Sequence, residues 1–457
     1  MTSSSAEAPY RNEREPALTS KKVAVETLGC KVNQYESSVM MESLMQANWQ
    51  PVSFKGAADL YVVHSCAVTS SAAFQTRQLL RRARRLNPGA LIAVVGCDAQ
   101  LDHDRLAAGE LATHILGTAE KFDIARWIEV PASFAAPCRA VKGVNDIPRL
   151  SAQAVSCMHT GRTRAYLKVQ DGCNAYCSYC VVPYTRGRSR SLPADEVLSR
   201  LRRFVEVGYR EVILTGIHLG QWGKDLTPTR DLAGLLDRIG DSDSPPRVRL
   251  SSLEPLEWSA GLLRRISTVP WICPHFHIPL QSGDDDVLAA MHRPYTALQY
   301  ANLIRELRML FPEAALGADV MVGFPGETQR RFLNTLHLVE ELPLTYLHVF
   351  PFSPRPGTPA ADMPGRIPGD ETKKRARLLQ DIGTRKRRQF SERFLGRSVE
   401  VLVESAAPRA GWLRGTTANY LQVLFPAGPP VLPGSIVRVQ VVRSGDRELI
   451  AAAPAGG

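Results

Sequence analysis

Residues 171–180 read DGCNAYCSYC, and the cysteines in this stretch are Cys173, Cys177 and Cys180. Their C-x3-C-x2-C spacing brings three thiolates around one inorganic centre, and thiolates are the usual ligands of iron–sulfur clusters. Three protein ligands on a four-iron cluster leave one iron open to bind a substrate. The stretch therefore predicts a [4Fe–4S] cluster with one free coordination position.

A zinc site is the alternative interpretation of this triplet. A structural zinc site needs four tetrahedral ligands, and Cys157 or His159 would supply the fourth from upstream. Zinc sites usually consist of two separated ligand pairs rather than one tight triplet. The spacing therefore favours iron and sulfur.

The length and composition indicate an ordinary globular chain. It has 457 residues, 44% of them apolar, which predicts two to four domains with sizeable cores. No apolar run approaches the roughly 20 residues that span a bilayer, and residues 1–20 read as a polar, disordered tail without a signal-peptide core. We therefore expect a cytoplasmic protein with no membrane partner, whose nine cysteines are ligands or free thiols rather than disulfides.

The net charge of +11 suggests a polyanionic partner. The segment 373–397 carries ten Lys or Arg against two acids, and a second basic group consists of Arg77, Arg81, Arg82, Arg84 and Arg85. Either run alone is typical of a solvated helix face. Together with the C-terminal segment described below, they favour nucleic acid.

Three apolar runs near the N-terminus are each followed closely by a cysteine. They cover residues 23–28, 60–63 and 91–95, and the cysteines are Cys30, Cys66 and Cys97. Helical patterns over 36–47 and 72–86 separate the runs, so we expect a parallel sheet with helices on its faces.

The carboxyl ends of parallel strands meet at one edge of a sheet, where ligands usually bind. Any one of these cysteines alone reads equally well as a packed core residue. Three in the same place in successive β-α units predict a second three-thiolate metal site. Cys138, Cys157 and Cys273 lack such placement and are predicted not to be ligands.

A second alternation of strands and helices begins near residue 160. The candidate strands are 165–170, 211–215, 248–251, 275–278, 316–322 and 346–350, with helices such as 193–207, 299–310 and 329–341 between them. Six β-α units predict a partial barrel, whose chemistry lies in the loops after the strands. The DGCNAYCSYC stretch follows the first strand, as that rule requires.

Loops in equivalent places are candidates to line a cofactor pocket. They read TGIHLG (215–220), SSLEP (251–255), PLQSG (279–283) and GFPGE (323–327). Each alone is a weak signal, because Gly and Pro occur in loops everywhere. The candidate cofactor-binding residues are Tyr179, Gly216, Glu254, Gln281 and Glu327.

The helical pattern stops after residue 395. Five short runs over 399–404, 412–415, 420–425, 436–442 and 448–452 predict a small closed β-barrel, an architecture often used to bind oligonucleotides. Trp412 and Tyr420 are able to stack on bases, although such aromatics more often fill the barrel core.

These stretches together resemble the radical S-adenosylmethionine (SAM) methylthiotransferases from about residue 21 onward. The resemblance is carried by TLGCKVNQYES (27–37), VHSCAVT (63–69), VGCDAQ (95–100), LKVQDGCNAYCSYCVVPYTRGRSRS (167–191), HIPLQSG (277–283), DVMVGFPGET (319–328), HVFPFSPRPGTPA (348–360) and GTTANYLQV (415–423). The KVN after Cys30 and the SPRPGTPA run look most like the branch that modifies N6-threonylcarbamoyladenosine in tRNA. One departure is His64-Ser65, where an Asn-Thr pair is usual.

The resemblance implies an α/β protein with an N-terminal parallel α/β sandwich, a partial (β/α)6 radical SAM barrel and a small C-terminal β-barrel of TRAM type. The implied domains are an N-terminal domain over 21–135 with an auxiliary cluster, a linker over 136–158, a radical SAM core over 159–390 and an RNA-binding domain over 391–457.

The resemblance also implies the chemistry. Cys173, Cys177 and Cys180 would hold the [4Fe–4S] cluster that binds and reduces SAM, giving a 5'-deoxyadenosyl radical. Cys30, Cys66 and Cys97 would hold a second [4Fe–4S] cluster that carries the sulfur. All six cysteines are thus catalytic in this reading, and the product is the 2-methylthio derivative of N6-threonylcarbamoyladenosine at position 37 of tRNA. The partners would be tRNA, an electron donor such as flavodoxin or ferredoxin, and a sulfur donor that the sequence does not name.

Three alternatives remain open at this point. One is a methylthiotransferase that acts on isopentenyladenosine in tRNA or on an aspartate of a ribosomal protein. Another is a zinc-dependent RNA-binding protein without enzymatic activity, and the third is a radical enzyme whose second cluster only relays electrons.

Overall fold

Three blocks of strands follow one another along the chain in the computed structural model. It describes residues 20–147, 150, 163–242, 245–407, 409–428, 431–445 and 448–453. The predicted tail, apart from residue 20, and the candidate zinc ligands Cys157 and His159 lie outside the described residues.

The first block is a six-stranded parallel sheet with the strand order β2-β1-β3-β4-β5-β6. The central strands β3 and β4 are almost entirely buried because helices and loops cover both faces of the sheet. The elements are β1 Lys22–Thr27, α1 Lys31–Gln46, β2 Gln50–Pro51, β3 Leu60–Ser65, α2 Ser70–Leu86, β4 Leu91–Gly96, α3 Cys97–Leu101, α4 His103–Ala108, β5 His114–Leu116, α5 Ile124–Trp127 and β6 Cys138–Ala140.

Two features of this sheet differ from the prediction. Helix α1 begins at Lys31 rather than Glu36, and Cys30 occupies its N-cap without the side-chain hydrogen bond that defines a typical helix start in the sequence. Strand β6, with Cys138, lies within the predicted linker and pairs in parallel with β5. A three-residue strand at a sheet edge leaves no periodic signal in the sequence.

The second block is a partial barrel of six parallel strands. Strands β7, β10 and β11 form one half and β12, β13 and β14 the other, and the bridge Val248–Ile272 links the halves. The elements are β7 Ala165–Lys168, β8 Gln170–Asp171, α6 Val182–Arg186, β9 Arg190–Ser191, α7 Ala194–Glu206, β10 Glu211–Thr215, α8 Leu232–Gly240, β11 Arg247–Leu250, α9 Ala260–Thr268, β12 His275–His277, α10 Asp285–Ala290, α11 Ala297–Leu310, β13 Ala315–Val322, α12 Gln329–Glu341, β14 Tyr346–Pro351 and α13 Gly369–Glu392.

The third block is a closed five-stranded barrel in the order β15-β16-β17-β19-β18. Its interior is apolar and includes Val401, Val423 and Phe425. The elements are β15 Ser398–Ala406, β16 Trp412–Thr417, β17 Gln422–Pro426, β18 Ile436–Ser444 and β19 Leu449–Ala451.

The predicted fold class is confirmed: an α/β protein with a parallel N-terminal sheet, a partial six-stranded barrel and a small C-terminal β-barrel. No helix in the described part of the chain is both long and apolar enough to cross a membrane.

Candidate active site

The loop after β8 carries the first group of cysteines. It turns sharply at Gly172, which has a φ of +75° and where a Cβ would lie 2.0 Å from the carbonyl oxygen of Arg188, so no larger residue fits. Cys177 is buried, whereas Cys173 and Cys180 are half-buried. Burial, with a smaller effect from the neighbouring Cys177 and Cys173, raises the pKa of the Cys180 thiol to about 12. Repulsion between neighbouring thiolates fits a site that a cationic centre completes.

Two basic side chains contact this group. The Nδ1 atom of His218 lies 3.3 Å from Cys173 Sγ, and Arg293 Nη1 donates to Cys177 Sγ over 3.3 Å. Burial opposes the charged form of His218, but its contacts with Cys173 and Glu257 outweigh burial and raise its pKa to about 10. The sulfur atoms therefore lie in an electropositive setting that favours thiolates.

A cavity of about 500 Å³ opens beside Cys177. Its walls carry both signs of charge, from Glu254 and Glu257 on one hand and Lys224 and Arg293 on the other. A zwitterionic ligand with an additional cation matches such a mixture of charges.

The second group consists of Cys30, Cys66 and Cys97. Strands β1, β3 and β4 are neighbours in the sheet, and Cys66 and Cys97 each directly follow a residue of the Ser65–Gly96 pair. Cys30 caps the amino end of α1 on the same edge. The structure thus brings together three cysteines that are 31 to 67 residues apart in sequence.

Close packing holds this second group in place. Gly29 has a φ of +93°, and a Cβ there would lie 2.8 Å from Cys66 Sγ. Burial, with smaller effects from Cys97 and Cys30, raises the pKa of the Cys66 thiol to about 12. As in the first group, mutual repulsion of thiolates fits a site that a cationic centre completes.

The unusual His64-Ser65 pair keeps its local hydrogen bonds. Ser65 Oγ donates to Val95 O over 2.7 Å and accepts from the backbone N–H groups of Asp98 and Ala99 at the start of α3. His64 Nδ1 lies 2.8 Å from Ser37 Oγ. These hydrogen bonds hold the end of β3, which precedes Cys66, against β4 and the start of α3.

A second cavity, of about 580 Å³, lies between all three blocks. Cys30, Cys66 and Cys97 form one wall, together with Lys31, and the loops after β10 and β11 form the facing wall. The loop after β10 separates the two cavities, since Gly216 and Ile217 line the larger cavity and His218 lines the smaller one. The two cysteine groups thus lie on opposite sides of one short loop.

A buried ionic network joins the N-terminal sheet to the barrel. Glu36 accepts from Lys121 over 2.6 Å, from Lys168 over 2.7 Å and from Arg186 over 3.0 Å. Arg186 also donates to Asp171 over 2.9 Å. Burial alone would raise the pKa of Glu36, but Arg186, Lys121 and Lys168 outweigh burial and hold it well below its usual value.

This network was missed by the sequence analysis, although Glu36, Asp171 and Arg186 all lie in stretches that carry the family resemblance. Its partners are as far as 150 residues apart in sequence, so no local sequence pattern indicates the network. The network fixes α1, and with it Cys30, against the loop that bears the other cysteines.

The C-terminal barrel contributes one side chain to the larger cavity. Tyr420 lies in the turn between β16 and β17 and stacks on His275, with ring centroids 4.3 Å apart. Arg249 lies 5.1 Å from the Tyr420 ring and donates to the carbonyl oxygens of Thr417 and Ala418. Tyr420 therefore lines the site rather than filling the barrel core, whereas the half-buried Trp412 packs under Arg409.

A hydrogen-bonded cluster faces the same cavity from β12, β13 and β14. Asp319 Oδ1 lies 2.9 Å from His277 Nε2 and 3.3 Å from His348 Nδ1, and Tyr346 OH lies 3.1 Å from His277 Nδ1. A Cβ at Gly317 would lie 2.1 Å from the Tyr346 ring, so only glycine leaves room for this arrangement.

The predicted cofactor-binding residues divide between several places. Gly216 lines the larger cavity and Glu254 the smaller one. Half-buried Tyr179 packs against an apolar cluster that includes Phe324. Gln281 and Glu327 line neither cavity.

The last two residues make backbone and side-chain contacts instead. Gln281 has a φ of +65° and forms a bridge with Val320, and its Oε1 has no partner among the described residues. Glu327 accepts from Gly323 N and from Arg375 of α13, each over 2.8 Å. These contacts fasten the GFPGE loop to α13.

Comparison with known proteins gives matches along most of the chain. Residues 22–117 match the family described as uncharacterized protein family UPF0004, and residues 167–339 match the radical SAM superfamily. The radical SAM methyltransferase TsrM of Kitasatospora setae shares the fold, with a TM-score of 0.56 and 15% identity over 75% of each chain.

Curated relatives match at higher identity. The threonylcarbamoyladenosine tRNA methylthiotransferase MtaB of Bacillus subtilis is 33% identical over 93% of this chain and 94% of its own length. MtaB of Thermotoga maritima is 37% identical over 84% of this chain and 87% of its own length. The tRNA-2-methylthio-N(6)-dimethylallyladenosine synthase of Moorella thermoacetica is 33% identical over 92% of this chain and 95% of its own length. All three are enzymes, so the alternative of a zinc-dependent protein without activity is wrong. This chain belongs to the radical SAM methylthiotransferase family.

Proposed function

We propose that this enzyme transfers a methylthio group to C2 of N6-threonylcarbamoyladenosine at position 37 of tRNA, in the cytoplasm. Its similarity to the MtaB proteins of several bacteria, at 32–37% identity over most of the chain, supports this substrate. The KVN and SPRPGTPA runs support the same branch.

The cofactors follow in part from the family. Membership of the radical SAM superfamily implies a [4Fe–4S] cluster and SAM. We assign Cys173, Cys177 and Cys180 to that cluster and Cys30, Cys66 and Cys97 to a second one. When bound, these groups supply a hydrogen-abstracting radical, a methyl group and the sulfur to be transferred.

The chain's own residues account for how the cofactor is held. The carboxylates of Glu254 and Glu257 suit the cationic amino and sulfonium groups of SAM, and Lys224 suits its carboxylate. His218 and Arg293 keep positive charge beside the thiolates of the first group. A Cβ at Gly216, in the partition between the cavities, would lie 2.8 Å from Gln170 Oε1, so glycine lets this loop pack closely on Gln170.

One observation carries this proposal most strongly. Cys177 of the first group lines one cavity, all three cysteines of the second group line the other, and a single short loop separates the two cavities. A radical formed on one side of this partition and a sulfur held on the other would reach the same base. A relay of electrons between two clusters would not need a 580 Å³ cavity in front of the second group.

The RNA would bind across the three blocks, which we assign to residues 21–135, 159–390 and 391–457, with a linker over 136–158. The target base must leave its stack to enter the cavity, which costs a few kcal/mol and is least costly in a loop. Arginines on α2 and the C-terminal barrel would hold the anticodon loop by its phosphates. An electron donor such as flavodoxin or ferredoxin would reduce the first cluster.

Nucleoside mass spectrometry tests the substrate. Purified enzyme with SAM and a reductant is offered tRNA that bears either threonylcarbamoyl or isopentenyl adenosine, and the digests are examined for methylthio products. We expect product from the first tRNA only, together with loss of that product in tRNA from a deletion strain. Conversion of the isopentenyl substrate alone, or of a ribosomal protein alone, would overturn the substrate assignment.

A further inference from the structure

Lys31 stands out among the cationic groups that line the larger cavity. Two such side chains line it, Lys31 and Arg186. Arg186 is fully occupied by Glu36, Asp171 and Asn33. Half-buried Lys31 has no hydrogen-bond or ion-pair partner among the residues that the structure describes.

The other charges near Lys31 are already neutralised. Arg249 pairs with Glu211 over 2.8 Å, and Arg164 pairs with Glu404 over 2.6 Å. Asp319, the acid on the facing wall, lies between His277 and His348. Of the described Lys and Arg side chains that line the cavity, Lys31 is therefore the one without a partner.

The position of Lys31 ties this charge to the reacting base. It directly follows Cys30, so it lies at the end of the cavity where the second cysteine group is located. C2 and C6 both flank N1 of the adenine ring, so a base placed for reaction at C2 in front of these cysteines would keep its N6 substituent at the same end of the cavity. The threonylcarbamoyl substituent ends in a carboxylate, whereas the isopentenyl substituent is uncharged.

From this geometry we propose that Lys31 binds the carboxylate of the N6 substituent and thereby selects the acidic substrate. The inference rests on the function proposed above and deepens it. A hydrogen bond between charged groups is roughly twice as strong as one between neutral groups. An apolar substituent would leave Lys31 without a partner in a partly desolvated place, so the same residue rejects it.

Binding measurements with anticodon stem-loops test the proposal without relying on turnover. Three RNAs differ only at residue 37, which is threonylcarbamoyladenosine, its threonine methyl ester or plain adenosine. The wild type should bind the acid about ten- to a hundredfold more tightly than the ester, the range expected for a hydrogen bond between charged groups. Lys31→Gln should bind acid and ester alike, and Lys31→Arg should retain most of the preference.

Lys55→Gln is the matched control, since Lys55 is an exposed lysine of the same sheet domain and the change in charge is equal. Its preference for the acid should equal that of the wild type. A Lys31→Gln protein that keeps the wild-type preference would overturn the role of Lys31.

A footprint on the wild type covers the case in which Lys31→Gln does not fold or load its clusters. Acetic anhydride modifies free lysines, and the acid RNA should protect Lys31 more than the ester RNA does. Equal protection would contradict the proposal. A wild type that converts no threonylcarbamoyl tRNA would instead overturn the proposed function, whereas normal conversion with an unchanged Lys31→Gln preference would overturn only this inference.

Discussion

At the residue scale, we assign Cys177 and Cys66 to groups with different roles, and single substitutions should separate them. Cys177→Ala should abolish reductive cleavage of SAM, because the cluster proposed to supply the electron would lose a ligand. Cys66→Ala should leave cleavage measurable and stop formation of the methylthio product. Chromatography of 5'-deoxyadenosine and of tRNA nucleosides reads out both reactions.

Cys273→Ala is the control for these variants, since Cys273 is a buried cysteine outside both groups. It should retain both reactions. Cleavage of SAM at the wild-type rate by the Cys177→Ala variant would show that the first cysteine group does not hold the SAM-reducing cluster.

Glu36 is the residue on which the buried network depends. Glu36→Gln leaves three buried cations short of a partner, so it should lower the free energy of unfolding by about 3–5 kcal/mol. Glu341→Gln, which removes the exposed partner of Arg305, should cost less than about 1 kcal/mol. Urea denaturation measures both changes, and equal small losses would mean that the network does not hold the two blocks together.

The pH dependence of this effect has a definite sign. The pKa of Glu36 is held well below its usual value in the fold, so the stabilisation is complete above the unfolded-state pKa of about 4.3. It is lost as the pH falls from there toward the folded-state pKa. The difference in stability between wild type and Glu36→Gln should therefore shrink below about pH 4, and a constant difference would contradict the assignment.

The sequence predicted that the cysteines converge, but it did not predict which side chains surround them. Cys30, Cys66 and Cys97 were predictable because parallel neighbouring strands end at one edge. The Glu36 network and the stacking of Tyr420 on His275 were not, since each joins residues from different blocks. Such contacts depend on how the blocks pack, which no local period encodes.

At the element scale, the two basic runs differ in what their charges do. On α13, Arg375 is buried against Glu327, Arg385 pairs with Glu340, and Lys386 donates to carbonyl oxygens at the end of α12. On α2, Arg81, Arg82 and Arg85 are exposed. The α2 arginines have no ion-pair partner among the described residues.

Exchange of Arg81, Arg82 and Arg85 for glutamine should therefore weaken tRNA binding. Each lost phosphate contact should lower the slope of log K against log salt by roughly 0.7–0.9. The control variant replaces three other arginines, Arg238, Arg265 and Arg305, by glutamine. Each of these pairs with an acid. Filter binding over a salt series measures the tRNA affinity of both variants. An unchanged salt slope in the α2 variant would mean that the α2 arginines form only a solvated helix face.

The elements themselves were largely predictable. Every predicted strand of the two barrels has a counterpart within a few residues, because turn residues and apolar runs mark them clearly. In the N-terminal sheet, by contrast, short strands such as β5 and β6, each of three residues, were not predicted. Their pairing depends on the long strands beside them.

At the scale of the whole molecule, the two groups of thiols predict the metal content. Anaerobically reconstituted protein should hold about eight irons, in two four-iron clusters with three thiolates each. Joint replacement of Cys30, Cys66 and Cys97 by alanine should leave about four. Iron and sulfide analysis measures this, and a wild type with four irons that the triple variant retains would rule out the second cluster.

The turn that carries Tyr420 has a consequence for the exchange of domains between relatives. Arg249 holds this turn by two carbonyl oxygens, and the tyrosine lines the cavity that we propose for the reacting base. A C-terminal barrel with another residue in place of Tyr420 would change this wall of the cavity. A chimaera with such a barrel should therefore still bind tRNA but lose its choice of nucleoside.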